Sequence, residues 1–104
     1  MTIQTTAVTN SATTVYTSTN NTAITYMELT NVSAGALTVD IHVIPSGDSL
    51  SNTNIIAKTL SIATLDSYQL YTGGEKLLLA NGDTVQVTAS AATGINSVVS
   101  FTSI

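Results

Sequence analysis

At 104 residues the chain has room for one domain, and its apolar share of 43% is enough to build a core without covalent staples. Only 8% of its residues are charged, against about 25% in an average globular domain. A net charge of −4 with no arginine and no basic cluster excludes binding to a phosphate backbone, and the absence of cysteine excludes disulfides, thiolate nucleophiles and thiolate metal ligands.

Taken in chain order, residues 1–12 are rich in threonine, serine and asparagine. They read either as an extended N-terminal arm or as part of the core. The opening "MTIQTTAVTN" has neither a charged n-region nor an apolar h-region, so no signal peptide is expected. No stretch approaches the roughly 20 apolar residues of a membrane span. In "TAITYMELT", Ile24 and Tyr26 share one parity, whereas Met27 and Leu29 share the other. A bulge near Tyr26 or a strand buried on both faces would explain the switch.

"ALTVDIHVI" alternates cleanly, with Leu37, Val39, Ile41 and Val43 opposed to Thr38, Asp40 and His42. "IIAKTLSI" places Lys58 in the parity of Leu60 and Ile62, which suits an edge strand guarded by a charge. "KLLLA", after Gly73-Gly74, reads as a helical turn or a short buried strand, the strand being preferred. "TVQVTASA" and the Val99–Thr102 segment return to period-2 alternation. Turn residues at Asn20-Asn21, Ser33-Ala34-Gly35, Pro45-Ser46-Gly47-Asp48, Asn81-Gly82-Asp83 and Thr93-Gly94 punctuate these runs. The whole predicts a single all-β domain over residues 1–104. Its architecture is an antiparallel β-sandwich, jelly-roll or Ig-like, of about seven or eight short strands.

Chemistry is sparse. Asp40 and His42, the latter the only histidine, lie two residues apart on one strand face, where a carboxylate can orient an imidazole. No Gly-x-Ser-x-Gly elbow accompanies them, and two ligands do not make a tight metal site. The pair therefore reads as a solvated or interface-facing feature. Asp48, Asp66 and Asp83 sit in turn sequence without a calcium-loop pattern, and Asx-turn formation is the expected task. Asn20-Asn21-Thr22 and Asn31-Val32-Ser33 match the glycosylation sequon but are expected to stay unmodified without a leader. Tyr16, Tyr26, Tyr68 and Tyr71 could plug core edges or stack on sugars. No catalytic residue, metal site or cofactor is assigned, and the chain is not expected to be an enzyme.

The lack of thiols and the presence of only two basic residues, Lys58 and Lys76, leave little for oxidants or trypsin-like proteases to attack. These traits suit a protein assembled in a cytoplasm and released by lysis. The segments "YTSTNNTAITYMELTNVSAGALTVDIHVIPSG", "NIIAKTLSIATLDSYQLYT" and "KLLLANGDTVQVTASAATGINSVVSFTSI" together resemble small all-β modules of tailed-bacteriophage virion proteins. The resemblance covers Val15 to Ile104 and rests on strand and turn signatures. It implies a virion component, first a capsid decoration (cement) protein on the major capsid protein. It also implies a homo-oligomer, with a trimer among the options; no nucleic-acid or membrane partner is expected, from the charge and hydropathy above. The alternative is a tail- or fibre-associated module that binds a receptor or carbohydrate. On this reading Thr2, Ile3, Gln4, Thr5 and Thr6 of the arm, with Asp40 and His42, are the interface candidates.

Overall fold

The computed structural model describes residues 2–70 and 77–104. Gly73-Gly74, Tyr71 and Lys76, singled out above, lie outside the described residues. All regular elements among the described residues are strands: β1 (Thr2–Val8), β2 (Thr13–Thr17), β3 (Thr22–Asn31), β4 (Leu37–Ile44), β5 (Ile55–Ile62), β6 (Ser67–Leu70), β7 (Leu77–Leu79), β8 (Thr84–Ala89) and β9 (Ile95–Ser103). The "KLLLA" reading as a strand thus holds for Leu77–Leu79.

The strands form two antiparallel sheets. The first has the order β1-β9-β3-β6, with β7 also pairing β3, and the second has the order β2-β8-β4-β5. β6 and β7 lie against the same edge of β3, at Met27–Thr30 and Thr22–Ile24 respectively. Counted as one interrupted strand, they give the two interleaved Greek keys of a jelly roll. The chain changes sheet at most connections, so each sheet is assembled from strands distant in sequence.

Period-2 alternation builds the core. In β8, Val85, Val87 and Ala89 are buried while Thr84, Gln86 and Thr88 stay half-exposed. In β9, Ile95 and Val99 turn inward with Ser97, and the two apolar side chains join Val39, Ile41 and Val87 of the second sheet in one core. Each buried Val, Leu or Ile contributes about 1.5–3 kcal/mol relative to exposure. Tyr16 and Phe101 close one end of this core with ring centroids 4.4 Å apart. The Tyr16 hydroxyl donates to Thr22 Oγ1 at 3.0 Å, which Ser18 Oγ also meets at 2.8 Å. These buried hydroxyls satisfy one another, as buried polar groups must.

The parity switch in β3 is a bulge. Its register with β9 slips between Ile24 and Tyr26, and Thr25 fixes the extra residue by donating to Ser100 O at 3.2 Å. Ile24, Met27 and Leu29 are thereby all buried, and Tyr26 turns to the opposite face. A second bulge lies in β5, an edge strand of the second sheet. Val39 pairs Leu60 and Ile41 pairs Ala57, so Lys58 and Thr59 together face Asp40. Thr59 has φ of 52°, unusual for a β-branched residue, and Asp40 Oδ1 holds it by accepting its N–H at 2.7 Å.

The two ends of the sandwich are stitched by side-chain amides and carboxylates. At one end Asp83 accepts from Ser46 N and Ala80 N, both at 2.8 Å, and Asn81 Oδ1 accepts from Asn20 N at 2.8 Å. At the other end Asn31 is fully buried. Its Nδ2 donates to Gly35 O and Ile62 O at 2.9 Å, and its Oδ1 accepts from Ser33 N at 2.9 Å and Ser33 Oγ at 2.6 Å. The Asn31 sequon is therefore inaccessible in the folded chain, whatever the compartment. Gly94, at φ of 118°, packs against the same loop, and its O accepts from Val32 N at 2.8 Å.

Residues 2–8, one of the two readings of which was a free arm, form β1 and pair β9 continuously from Thr2 to Val8. The physical reason is visible in the register: Val8 completes the core beside Ile95 and is buried, while β9 offers β1 its otherwise open edge.

Candidate functional site

The sequence candidates fall on different sheets of the sandwich. β1 belongs to the first sheet. Thr2, Gln4 and Thr6 pair Phe101, Val99 and Ser97 and share their inward parity, whereas Ile3 and Thr5 face outward. Ile3 is 67% exposed. Asp40 and His42 lie on the second sheet, opposite Thr88 and Gln86 of β8. The structure does not bring the two groups together.

His42 is also not on a wet surface. It is 4% exposed, and its Nδ1 is buried without a hydrogen-bond partner. Beside it on the same parity is Ile44, also buried. The connection 45–54 returns along this strand, with Asn54 O accepting from Val43 N at 2.9 Å. The solvated reading of His42 is thus corrected: period-2 alternation sets which face a residue takes, but not whether that face is covered. Asp40 is committed to Thr59, so carboxylate and imidazole do not form an oriented pair. An unpaired buried nitrogen costs about 1–3 kcal/mol, and an apolar replacement of similar shape removes that cost. His42→Leu is therefore expected to match or exceed the stability of the natural chain in urea denaturation. His42→Ala is expected to lose about 1–3 kcal/mol to the cavity it leaves. A His42→Leu variant less stable than His42→Ala would show that the imidazole makes an interaction essential to the fold.

Of the acidic turn residues, Asp66 and Asp83 act on the backbone through their carboxylates, whereas Asp48 joins its turn through its own N–H to Pro45 O. Asp83 accepts two N–H groups as described, and Asp66 Oδ1 accepts Ser67 N at 2.8 Å. Among the described residues no three of His, Cys, Asp and Glu come together.

A different cluster stands on the outer face of the first sheet. The β3 bulge aims Tyr26 outward, in the same parity as Glu28, and β6 brings Gln69 directly opposite Glu28. Tyr26 donates its hydroxyl proton to Glu28 Oε1. Gln69 Nε2 donates to Tyr26 Oη at 2.8 Å and to Glu28 Oε1 at 3.0 Å. The bond to Glu28 favours the neutral phenol and raises Tyr26 above its ordinary pKa of 10.0. Across β9 and β1 the same face continues through Val98 and Thr5, the cross-strand neighbours of Glu28 and Val98 in turn. Sequence reasoning missed Glu28, Gln69, Asn96 and Val98. The parity switch at Tyr26 was the one local signal pointing to this face, and nothing local to Gln69 marks its place there.

No protein-family model, curated protein or solved structure matches the chain.

Proposed function

We propose that this chain is a non-enzymatic structural protein of a tailed-bacteriophage virion, a decoration protein seated on the outer surface of the major capsid protein and stabilising the head. The observation that carries the reading is the jelly-roll order of the strands, an architecture recurrent in viral coat domains. The strand-and-turn resemblance to virion modules joins it. Fold alone does not fix function, but the chemistry leans the same way. The one histidine and its nearest carboxylate are built into the scaffold, and the surface is wetted by hydroxyls and amides with little charge. Such a surface suits broad, lasting contact, and the rigid ends formed around Asn31 and Asp83 suit a body that bears load. A homo-oligomer, with a trimer among the options, fits the same role.

Of the expected interface residues on β1, Ile3 and Thr5 face outward. Ile3 is a large apolar side chain left open on an edge strand, where a partner can bury it or continue the sheet. Ile3→Glu is expected to change the stability of the isolated protein by no more than about 0.5 kcal/mol, as for other surface substitutions. It is expected to reduce the copies retained on particles severalfold. Quantitative mass spectrometry of purified particles measures this directly. For the natural chain it should give a count comparable with the major capsid protein. A count on the scale of a tail ring would move the protein to the tail, and absence from particles would refute the virion reading.

A further inference from the structure

The outer face of the first sheet holds more than a polar cluster. Thr6 and Ser97 are cross-strand partners whose side chains take the inward parity, so on the outer face they present only backbone. The four outward residues around that pair, Thr5, Ala7, Asn96 and Val98, frame an open depression of about 310 Å³ over it. One strand further in, Glu28 stands opposite Val98 and Thr30 opposite Asn96. The depression and the Tyr26–Glu28–Gln69 cluster therefore form one continuous surface.

We propose that this surface is a binding site for a neutral, hydroxyl-rich ligand, namely a sugar ring of a glycan. The volume lies at the lower end of the roughly 300–1,000 Å³ of small-molecule sites. Glu28, beside the depression through its neighbour Val98, is held in place by two donors on Oε1, which leaves Oε2 free to accept from a ligand at little ordering cost. Gln69 spends an N–H on Tyr26 and Glu28, leaving its carbonyl oxygen as a second acceptor. The hydroxyls of Thr5 and Thr30 and the amide of Asn96, which both donate and accept, complete a rim of neutral groups beside the one carboxylate. Sugar hydroxyls, which also do both, match such a rim, and Ala7 and Val98 offer apolar surface to the C–H face of a ring.

Other ligand classes fit less well. No lysine or arginine among the described residues belongs to this face, which disfavours an anion. A guanidinium would pair best with both carboxylate oxygens, and Oε1 is already doubly occupied. The site is independent of whether the protein sits on a head or a tail.

The test is a titration of the isotope-labelled full chain with glucose, galactose, N-acetylglucosamine, lactose and maltose, followed by backbone amide NMR shifts. At least one sugar is expected to give saturable shifts confined to residues 5–7, 96–98 and the Glu28 region of β3. Glu28→Ala is expected to weaken binding about tenfold or more, the scale of losing a hydrogen bond to a charged group. Ala7→Lys, which fills the depression and leaves the Tyr26–Glu28–Gln69 cluster untouched, is expected to abolish it. Thermal melts of both variants should match the natural chain. The proposal is overturned by an absence of shifts with every sugar, by shifts on other surfaces, or by binding indifferent to both substitutions. It is also overturned if N-acetyl-arginine amide binds the same residues more tightly than any sugar, which would make the face a protein-docking surface.

Discussion

Asn31→Leu is expected to lower stability by about 3–5 kcal/mol, a large part of the roughly 5–15 kcal/mol that holds a domain of this size together. The side chain makes four hydrogen bonds in full burial, and its removal takes the acceptor from Ser33 N–H and a donor from the carbonyls of Ile62 and Gly35, the latter keeping its bond from Ser33 Oγ. Those groups belong to different parts of the fold: Asn31 ends β3 in the first sheet, Gly35 lies in the loop to β4, and Ile62 ends β5 in the second. One amide therefore ties both sheets and their connection. Asn31→Asp separates shape from chemistry. It keeps the acceptor for Ser33 but turns an oxygen toward two carbonyl oxygens, and it should cost at least as much as leucine. Urea denaturation with constant slope measures both, and a loss below about 1 kcal/mol for either would refute this role.

Gly94→Ala is expected to be the most damaging of the small substitutions, at about 2–3 kcal/mol, because it combines backbone strain with collision. At φ of 118° a side chain is disfavoured, and an added Cβ would stand 2.8 Å from Leu37 Cδ1 and 2.9 Å from Ser33 Cβ. Gly47 supplies the comparison. Its φ of 88° is also positive, but nothing lies within 4 Å of the Cβ position, so Gly47→Ala carries the backbone term alone, about 1 kcal/mol. Thermal unfolding of the two variants side by side checks the difference. Equal losses would mean that Leu37 and Ser33 move aside freely and that this end of the sandwich is softer than its hydrogen bonds suggest.

The sheets were legible in the sequence wherever one face meets the core and the other meets water. β8 obeys that rule at every position, and the two parities of "TAITYMELT" left a bulge or a doubly buried strand, of which the structure has the bulge, between Ile24 and Tyr26. His42 escaped because its side chain is buried although its strand face is the outer one, and coverage leaves no trace in alternation. β1 escaped in part because a strand paired on one side, with a single buried anchor at Val8, has the composition of a free arm. The candidate site was legible by half: Tyr26 and Glu28 are two residues apart on one strand, but Gln69, Asn96 and Val98 join them only through pairings across long stretches of chain. Asn31 was visible only as a sequon. Its bonding role depends on carbonyls of the β3–β4 loop and the end of β5 that no local pattern connects.

The Lys58–Thr59 bulge in β5 has a bearing on solubility. With so few charges, copies of this protein repel one another weakly, and straight uncovered strand borders would invite runaway fibre growth from sheet to sheet. β5 forms one border of the second sheet. There the backbone is kinked by a left-handed threonine and carries an exposed ammonium group, which makes it a poor template for another chain. The strain at Thr59, of order 1–2 kcal/mol, is in this light the cost of remaining dispersed at high concentration.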